Sequence, residues 1–171
     1  NILFTCAGRR VALVESFRRA ADDLDLEIRL VGADVNRLSP ALYVCDAHVV
    51  TGLINDHNYI SELKSVIDKH DIDMVVPTID TELKILAEHR AKLETNGRRV
   101  LVSDADVVDI CQDKRKTNKF LSESDLDGPV TYEATEVDAD KLSFPVFLKP
   151  WDGSASQGSA VANDQAEFNY W

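Results

Sequence analysis

Ile2-Leu-Phe-Thr-Cys6 is a short apolar run that breaks at Ala7-Gly8-Arg9-Arg10. Beyond the break Val11, Leu13, Val14 and Phe17 recur at helical spacing, with Arg18, Arg19, Asp22 and Asp23 elsewhere. The same strand–turn–helix order then repeats. Glu27 to Asp34 reads as a second strand and Asp46 to Val50 as a weaker one. Asn58 to His70 reads as a helix through Ile60, Leu63, Val66 and Ile67, and Asp73 to Pro77 as a buried-type strand. Thr81 to Glu94 is an amphipathic helix that Asn96-Gly97 is expected to end as a C-cap, and Arg99 to Ser103 is a further strand. This alternation predicts an α/β fold, a Rossmann-like parallel sheet with helices on both faces. Ligands of such sheets sit at the carboxyl ends of the strands, which makes Ala7 to Arg10, Asp34 to Pro40 and Thr78 to Glu82 the candidate loops.

The texture changes from Asp104. Two helical pieces, Asp104 to Ile110 and Asp113 to Ser124, precede the turn Asp127-Gly128-Pro129. Val130 to Glu133, the run ending in Lys149, and Ser159 to Ala162 read as strands. The expected domains are residues 1–111, Rossmann-like, and residues 112–171, an incomplete α+β unit. Asn1 opens directly in a strand and Tyr170-Trp171 closes within a helix, which suggests a piece of a longer polypeptide.

Composition narrows the function classes. A chain of 171 residues buries roughly 70% of its unfolded surface and folds without disulfides or metal. A net charge of −11 argues against a nucleic-acid partner. No apolar run is long enough to span a membrane, and no signal peptide is visible. Cys6, Cys45 and Cys111 lack paired spacing and read as reduced thiols of a cytoplasmic protein. Cys6 reads as a small apolar residue at a strand end rather than a nucleophile. The four histidines have no metal-ligand spacing.

The first loop carries one glycine where a dinucleotide fingerprint needs three, so a nicotinamide cofactor is disfavoured, although Asp34 would suit a ribose. Arg9 and Arg10 stand beside the positive end of a helix, which is unfavourable unless they serve an anion; solvated arginines are the alternative. Asp80 suits an N-cap, and its loop keeps a binding role open. Asp113 is a natural N-cap, whereas Lys114 and Lys116 in the first turn oppose the dipole and suggest an anion nearby.

The remaining signal is Phe144-Pro-Val-Phe-Leu-Lys-Pro-Trp-Asp-Gly-Ser-Ala-Ser-Gln-Gly158. A strand ends in one cation, Lys149, and runs into a loop whose backbone can approach phosphate oxygens. The alternative is a β-hairpin whose turn contains Gly and Ser.

Asp113-Lys114 at a helix start, followed by the Lys149 strand and its loop, resembles the ATP-grasp superfamily. Within it the chain is similar to carbamoyl-phosphate-synthase large-subunit-like proteins, through Thr5-Cys-Ala-Gly-Arg-Arg10 and Pro77-Thr-Ile-Asp-Thr-Glu-Leu83. The resemblance implies a pre-ATP-grasp domain followed by the first part of an ATP-binding unit. It implies ATP phosphate contacts from Lys114 and Lys149, and a lid made of Gly153, Ser154, Ala155, Ser156, Gln157 and Gly158. Phe147 and Leu148 would border the adenine, while Gly8, Arg9, Arg10 and Asp80 are candidate substrate contacts. The implied reaction is ATP-dependent ligation of a small-molecule carboxylate to an amine or ammonia through an acyl phosphate. Mg²⁺ ligands are expected beyond Trp171, the catalytic residues are not identified, and a homodimer is a family-level expectation. The lid has fewer glycines than carbamoyl-phosphate synthases carry, which favours a general carboxylate–amine ligase over one using bicarbonate. The alternative is a non-catalytic nucleotide- or ligand-binding regulatory module.

Overall fold

The computed structural model describes residues 1–153 and 155–171. The chain forms two compact units, Asn1–Ala105 and Asp106–Trp171.

In the first unit, β1 (Ile2–Thr5) leads into α1 (Val11–Asp23), and β2 (Leu30–Asp34) passes through a 3₁₀ turn at Pro40–Val44 into β3 (Ala47–Val50). There follow α2 (Tyr59–Lys69), β4 (Met74–Pro77), α3 (Asp80–Glu88), α4 (Arg90–Leu93) and β5 (Arg99–Val100). The strands form one sheet in the order β3-β2-β1-β4-β5, every pair parallel. Leu3 stands opposite Val31 on one side and Val75 on the other. Successive side chains of a strand point to opposite faces, and Leu3 and Phe4 are both fully buried, so both faces of the sheet are covered. β2 is buried at all five positions, which is why its sequence does not alternate. On one face Phe4, Val14, Leu30 and Leu42 form the core, and Phe17 of α1 meets Phe4 edge-on at 5.0 Å.

Local readings differ from the expectations in instructive ways. The helix read over 81–94 breaks at His89 into α3 and α4. Asn96 and Gly97 are not a C-cap. Both are left-handed (φ 59° and 81°), and Arg98 N–H donates to the Thr95 carbonyl at 3.3 Å, the pattern of a type I′ turn that feeds β5. Asp80 is the first helical residue rather than the cap; Ile79 holds the cap position, and Asp80 Oδ1 accepts the Thr81 N–H at 3.0 Å. β2 starts at Leu30 rather than Glu27 because its pairing begins there, opposite Ile2.

The second unit contains α5 (Ala105–Gln112, whose first residue closes the preceding unit), α6 (Lys114–Glu123), a 3₁₀ turn at Ala139–Lys141, β6 (Val146–Leu148), β7 (Ala160–Ala162) and α7 (Gln165–Tyr170). Asp113 caps α6 as its sequence position suggests, its Oδ1 accepting the Arg115 N–H at 2.9 Å. β6 and β7 pair antiparallel. Val130 to Glu133 forms no strand: it pairs with no strand among the described residues, and Val130 is 81% exposed. Among the described residues no helix is long and apolar enough to cross a membrane.

A Cβ on Gly97 would meet nothing within 4 Å, so a substitution there tests backbone conformation alone. Gly97→Ala is expected to lower unfolding free energy by about 1–2 kcal/mol in urea denaturation, the cost of holding an L-residue in the left-handed region.

Candidate functional site

At the carboxyl edge of the sheet the chain leaves β1 through two left-handed residues, Cys6 and Gly8, each at φ 49°. Gly8 N–H donates to Asp34 Oδ2 at 2.7 Å, while Asp34 Oδ1 accepts from Asn36 N–H and the Ser39 hydroxyl, each at 2.8 Å. Both carboxylate oxygens of Asp34 are thus engaged in holding the β1–α1 and β2 loops together, and its role is structural rather than ribose-binding. Arg9 is exposed and has no partner among the described residues. The Arg10 guanidinium reaches the Thr78 carbonyl at 3.4 Å, and the Thr78 hydroxyl donates to the Cys6 carbonyl at 2.6 Å. These bonds lace the Gly8–Arg10 loop to the segment that carries Asp80.

Beneath this edge lies a polar cluster that sequence reasoning missed. Glu82, in the first turn of α3, is fully buried. It accepts hydrogen bonds from the Thr5 hydroxyl at 2.7 Å and the Tyr59 hydroxyl at 2.6 Å, joining β1, α2 and α3. The Cys6 thiol interacts with both Glu82 and Tyr59. Burial drives the Glu82 carboxyl above its ordinary range, against the opposing pull of the bonds from Tyr59, Thr5 and Cys6. Burial and the neighbouring Glu82 push the Cys6 thiol up to about 12, which leaves it a poor nucleophile. The same two causes raise the Tyr59 hydroxyl. In sequence Glu82 is only the last residue of the candidate loop Thr78 to Glu82, and nothing local marks Tyr59 as its partner from 23 residues away. A cleft of about 700 Å³ between α2 and α3 is lined by Ile60, Lys64, Ile85 and His89 among others, and Gly8, Arg9, Arg10 and Asp80 do not line it.

In the second unit the segment from Phe144 to Gly158 supplies β6, which pairs with β7, and the candidate phosphate loop that follows it. β6 and β7 pair with Phe147 opposite Val161, and both are half exposed or more, at 61% and 50%. Lys149 follows directly on the end of β6; it is exposed and has no partner among the described residues. Ala155, Ser156 and Gly158 are left-handed, at φ 53°, 57° and 70°. Gly153, Ala155, Ser156, Gln157 and Gly158 belong to the described loop, whereas Ser154 lies outside the described residues. Lys114 is brought to the base of this loop, its Nζ donating to the Gly153 carbonyl at 2.7 Å. The Asp113 carboxyl is held well below the usual range by the Arg115 guanidinium bonded to it. Among the described residues no group of three or more His, Cys, Asp or Glu side chains is arranged to hold a metal ion.

Glu82 makes a checkable contribution to stability. Its folded value lies above the ordinary 4.5, so the fold favours the neutral acid. That contribution is full below the unfolded pKa and is lost as pH rises through the folded one. In urea unfolding between pH 4 and 8, the wild-type chain is expected to lose stability relative to Glu82→Gln as pH rises.

Comparison with known proteins agrees with this fold and with the likeness to carbamoyl-phosphate synthases. A formate-dependent phosphoribosylglycinamide formyltransferase of Prochlorococcus marinus (strain MIT 9312) is 27% identical over 150 residues, covering 84% of this chain and 36% of that protein. A carbamoyl phosphate synthase large chain of Pseudomonas putida is 25% identical over 127 residues, covering 66% of this chain and 12% of that protein. The chain therefore spans little more than a third of the length of the first of these relatives and far less of the second. Among solved structures, an L-amino acid ligase from Bacillus licheniformis superposes with a TM-score of 0.71 at 18% identity, covering 99% of this chain and 40% of the other. N5-carboxyaminoimidazole synthetase from Staphylococcus aureus gives 0.64 at 14% identity, covering 99% and 42%. At those identities the likeness establishes the fold. The model for the PylC-like, N-terminal domain matches residues 2–101, more than half of the chain, and the chain belongs to that family.

Proposed function

We propose that the protein carrying this chain is an ATP-dependent ligase of the ATP-grasp type that joins a small carboxylate to an amine or ammonia. In this reading residues 1–111 are its pre-ATP-grasp domain and residues 112–171 the first part of its ATP-binding unit. One observation carries the proposal: the exposed face of the β6–β7 hairpin. Phe147 and Val161 offer an apolar platform to a base, Lys149 follows β6 as an exposed cation with no partner among the described residues, and Ala155, Ser156 and Gly158 beyond it are left-handed. A flat apolar surface, a cation and exposed backbone N–H groups in succession suit a base and its phosphates in that order. Lys114 is the second cation within reach of the loop.

At the sheet edge Arg9 and Arg10 would pair with a substrate carboxylate, which a guanidinium binds in bidentate fashion, and Asp80 with an amine. A carbamoyl phosphate synthase and an L-amino acid ligase among the similar proteins support this class of chemistry. ATP would supply the phosphoryl group that gives a carboxylate oxygen a leaving group, with the lysines offsetting charge on the phosphates. The described residues offer no acidic cluster for Mg²⁺. A cytoplasmic setting and a homodimer belong to the same proposal.

Isothermal titration of the protein carrying this chain with MgATP tests the reading. Binding is expected, and Lys149→Ala is expected to weaken it about tenfold to a hundredfold, the loss of one charge-assisted contact worth ~1.5–3 kcal/mol. Equal affinity in the variant would remove Lys149 from the site. ADP release screened against amino acids, ammonia and bicarbonate then identifies the carboxylate and the nucleophile.

A further inference from the structure

Lys114 and Lys149 belong to one unit but stand in different states. Lys149 has no partner among the described residues, while Lys114 is occupied. Its Nζ donates to the Gly153 carbonyl at 2.7 Å and, less closely, to the Trp151 carbonyl at 3.4 Å. Its backbone N–H donates to the same Trp151 carbonyl at 3.0 Å. Arg115 grips the segment from the side, its guanidinium 4.3 Å above the Trp151 ring. That guanidinium is itself fixed by Asp113, which accepts from Nε at 3.0 Å and from a terminal nitrogen at 2.7 Å. Residues 151–153 are therefore seated on the first turn of α6 by one backbone bond, one ammonium and one stacked guanidinium.

Helix α6 does not require this seat. Asp113 already caps it, and the remaining first-turn N–H groups are satisfied as well by water. The ammonium is the exchangeable part. Neutral carbonyls hold a cation through a dipole, whereas phosphate oxygens hold it through full charge and outcompete them. Without the ammonium, one backbone bond from Lys114 to the Trp151 carbonyl and an exposed guanidinium–indole stack remain, a weaker hold.

We propose that Lys114 is a bolt and Trp151 the positioning residue it secures: with no nucleotide Lys114 pins residues 151–153 to α6, and a polyphosphate takes the ammonium and releases them. The ligand thereby couples its own binding to the freedom of residues 151–153, since it binds the unbolted state better than the bolted one. This inference rests on the nucleotide-binding reading above, and the test separates the two.

Trp151 is 49% exposed, so unseating it shifts its emission to the red. The Trp151 signal is taken as the difference between the protein and its Trp151→Phe variant, with MgATP binding followed in parallel by calorimetry. The expected result is a red shift that saturates with the heat of MgATP binding. Lys114→Met should show the same shift with no ligand present, and Lys114→Arg should restore the unliganded emission. Heat without a change at Trp151, or a Lys114→Met protein with wild-type emission, overturns the bolt while leaving nucleotide binding intact. Absence of heat overturns ligand exchange together with the nucleotide reading; a shift in Lys114→Met would then establish the seat alone.

Discussion

β1 is hydrogen-bonded in parallel on both of its edges, to β2 and to β4, and the first unit is organised by that constraint. A strand so placed exposes neither backbone edge and, with both faces covered, is apolar at Leu3 and Phe4, while its buried polar residue, Thr5, has its hydroxyl bonded to Glu82. Parallel neighbours also oblige the chain to return over the sheet before each new strand, so every strand-to-helix loop opens on the same edge. Arg10 and Thr78, 68 positions apart, meet there for that reason.

The cost of the arrangement appears in Glu82. A fully buried carboxyl is unfavourable unless its oxygens are satisfied, and here the hydroxyls of Thr5 and Tyr59 satisfy one oxygen each. An apolar side chain in its place would leave the buried hydroxyls of Thr5 and Tyr59 without their acceptor. The carboxyl instead specifies one arrangement of β1, α2 and α3, directly below the loops that carry Arg10 and Asp80. Asp34 performs the comparable service one strand away, spending its charge on Gly8, Asn36 and Ser39 rather than on a ligand.

The second unit distributes its charges differently. Lys149, just beyond β6, has no partner among the described residues, while Lys114 is spent on main-chain carbonyls and Arg115 on Asp113 and Trp151. Among the described residues, two lysines that look equivalent in sequence are thus one unpaired cation and one internal tie.

The alternation of apolar strands with amphipathic helices was legible because burial on one side imposes a period and burial on both sides an unbroken apolar run. Asp113 was legible as a cap because capping is local, its donor lying two residues away. Asn96-Gly97 was legible as punctuation but not as a type I′ turn, since the choice depends on where β5 pairs with β4. Val130 to Glu133 carries strand propensity without a partner strand, and propensity alone makes no ladder. The candidate loops and lysines were found because a cation or glycine at a strand end is a local pattern. Their states were not: whether Asp34 is open or engaged, whether Lys114 is free or tied, and that Tyr59 meets Glu82 all depend on contacts between segments distant in sequence. Sequence by itself determined the layering of the fold and the positions of its loops, because burial and capping are written in spacing. Only the tertiary structure decided which charged groups are spent internally and which remain open to a ligand, because that depends on which distant side chain comes within hydrogen-bond reach.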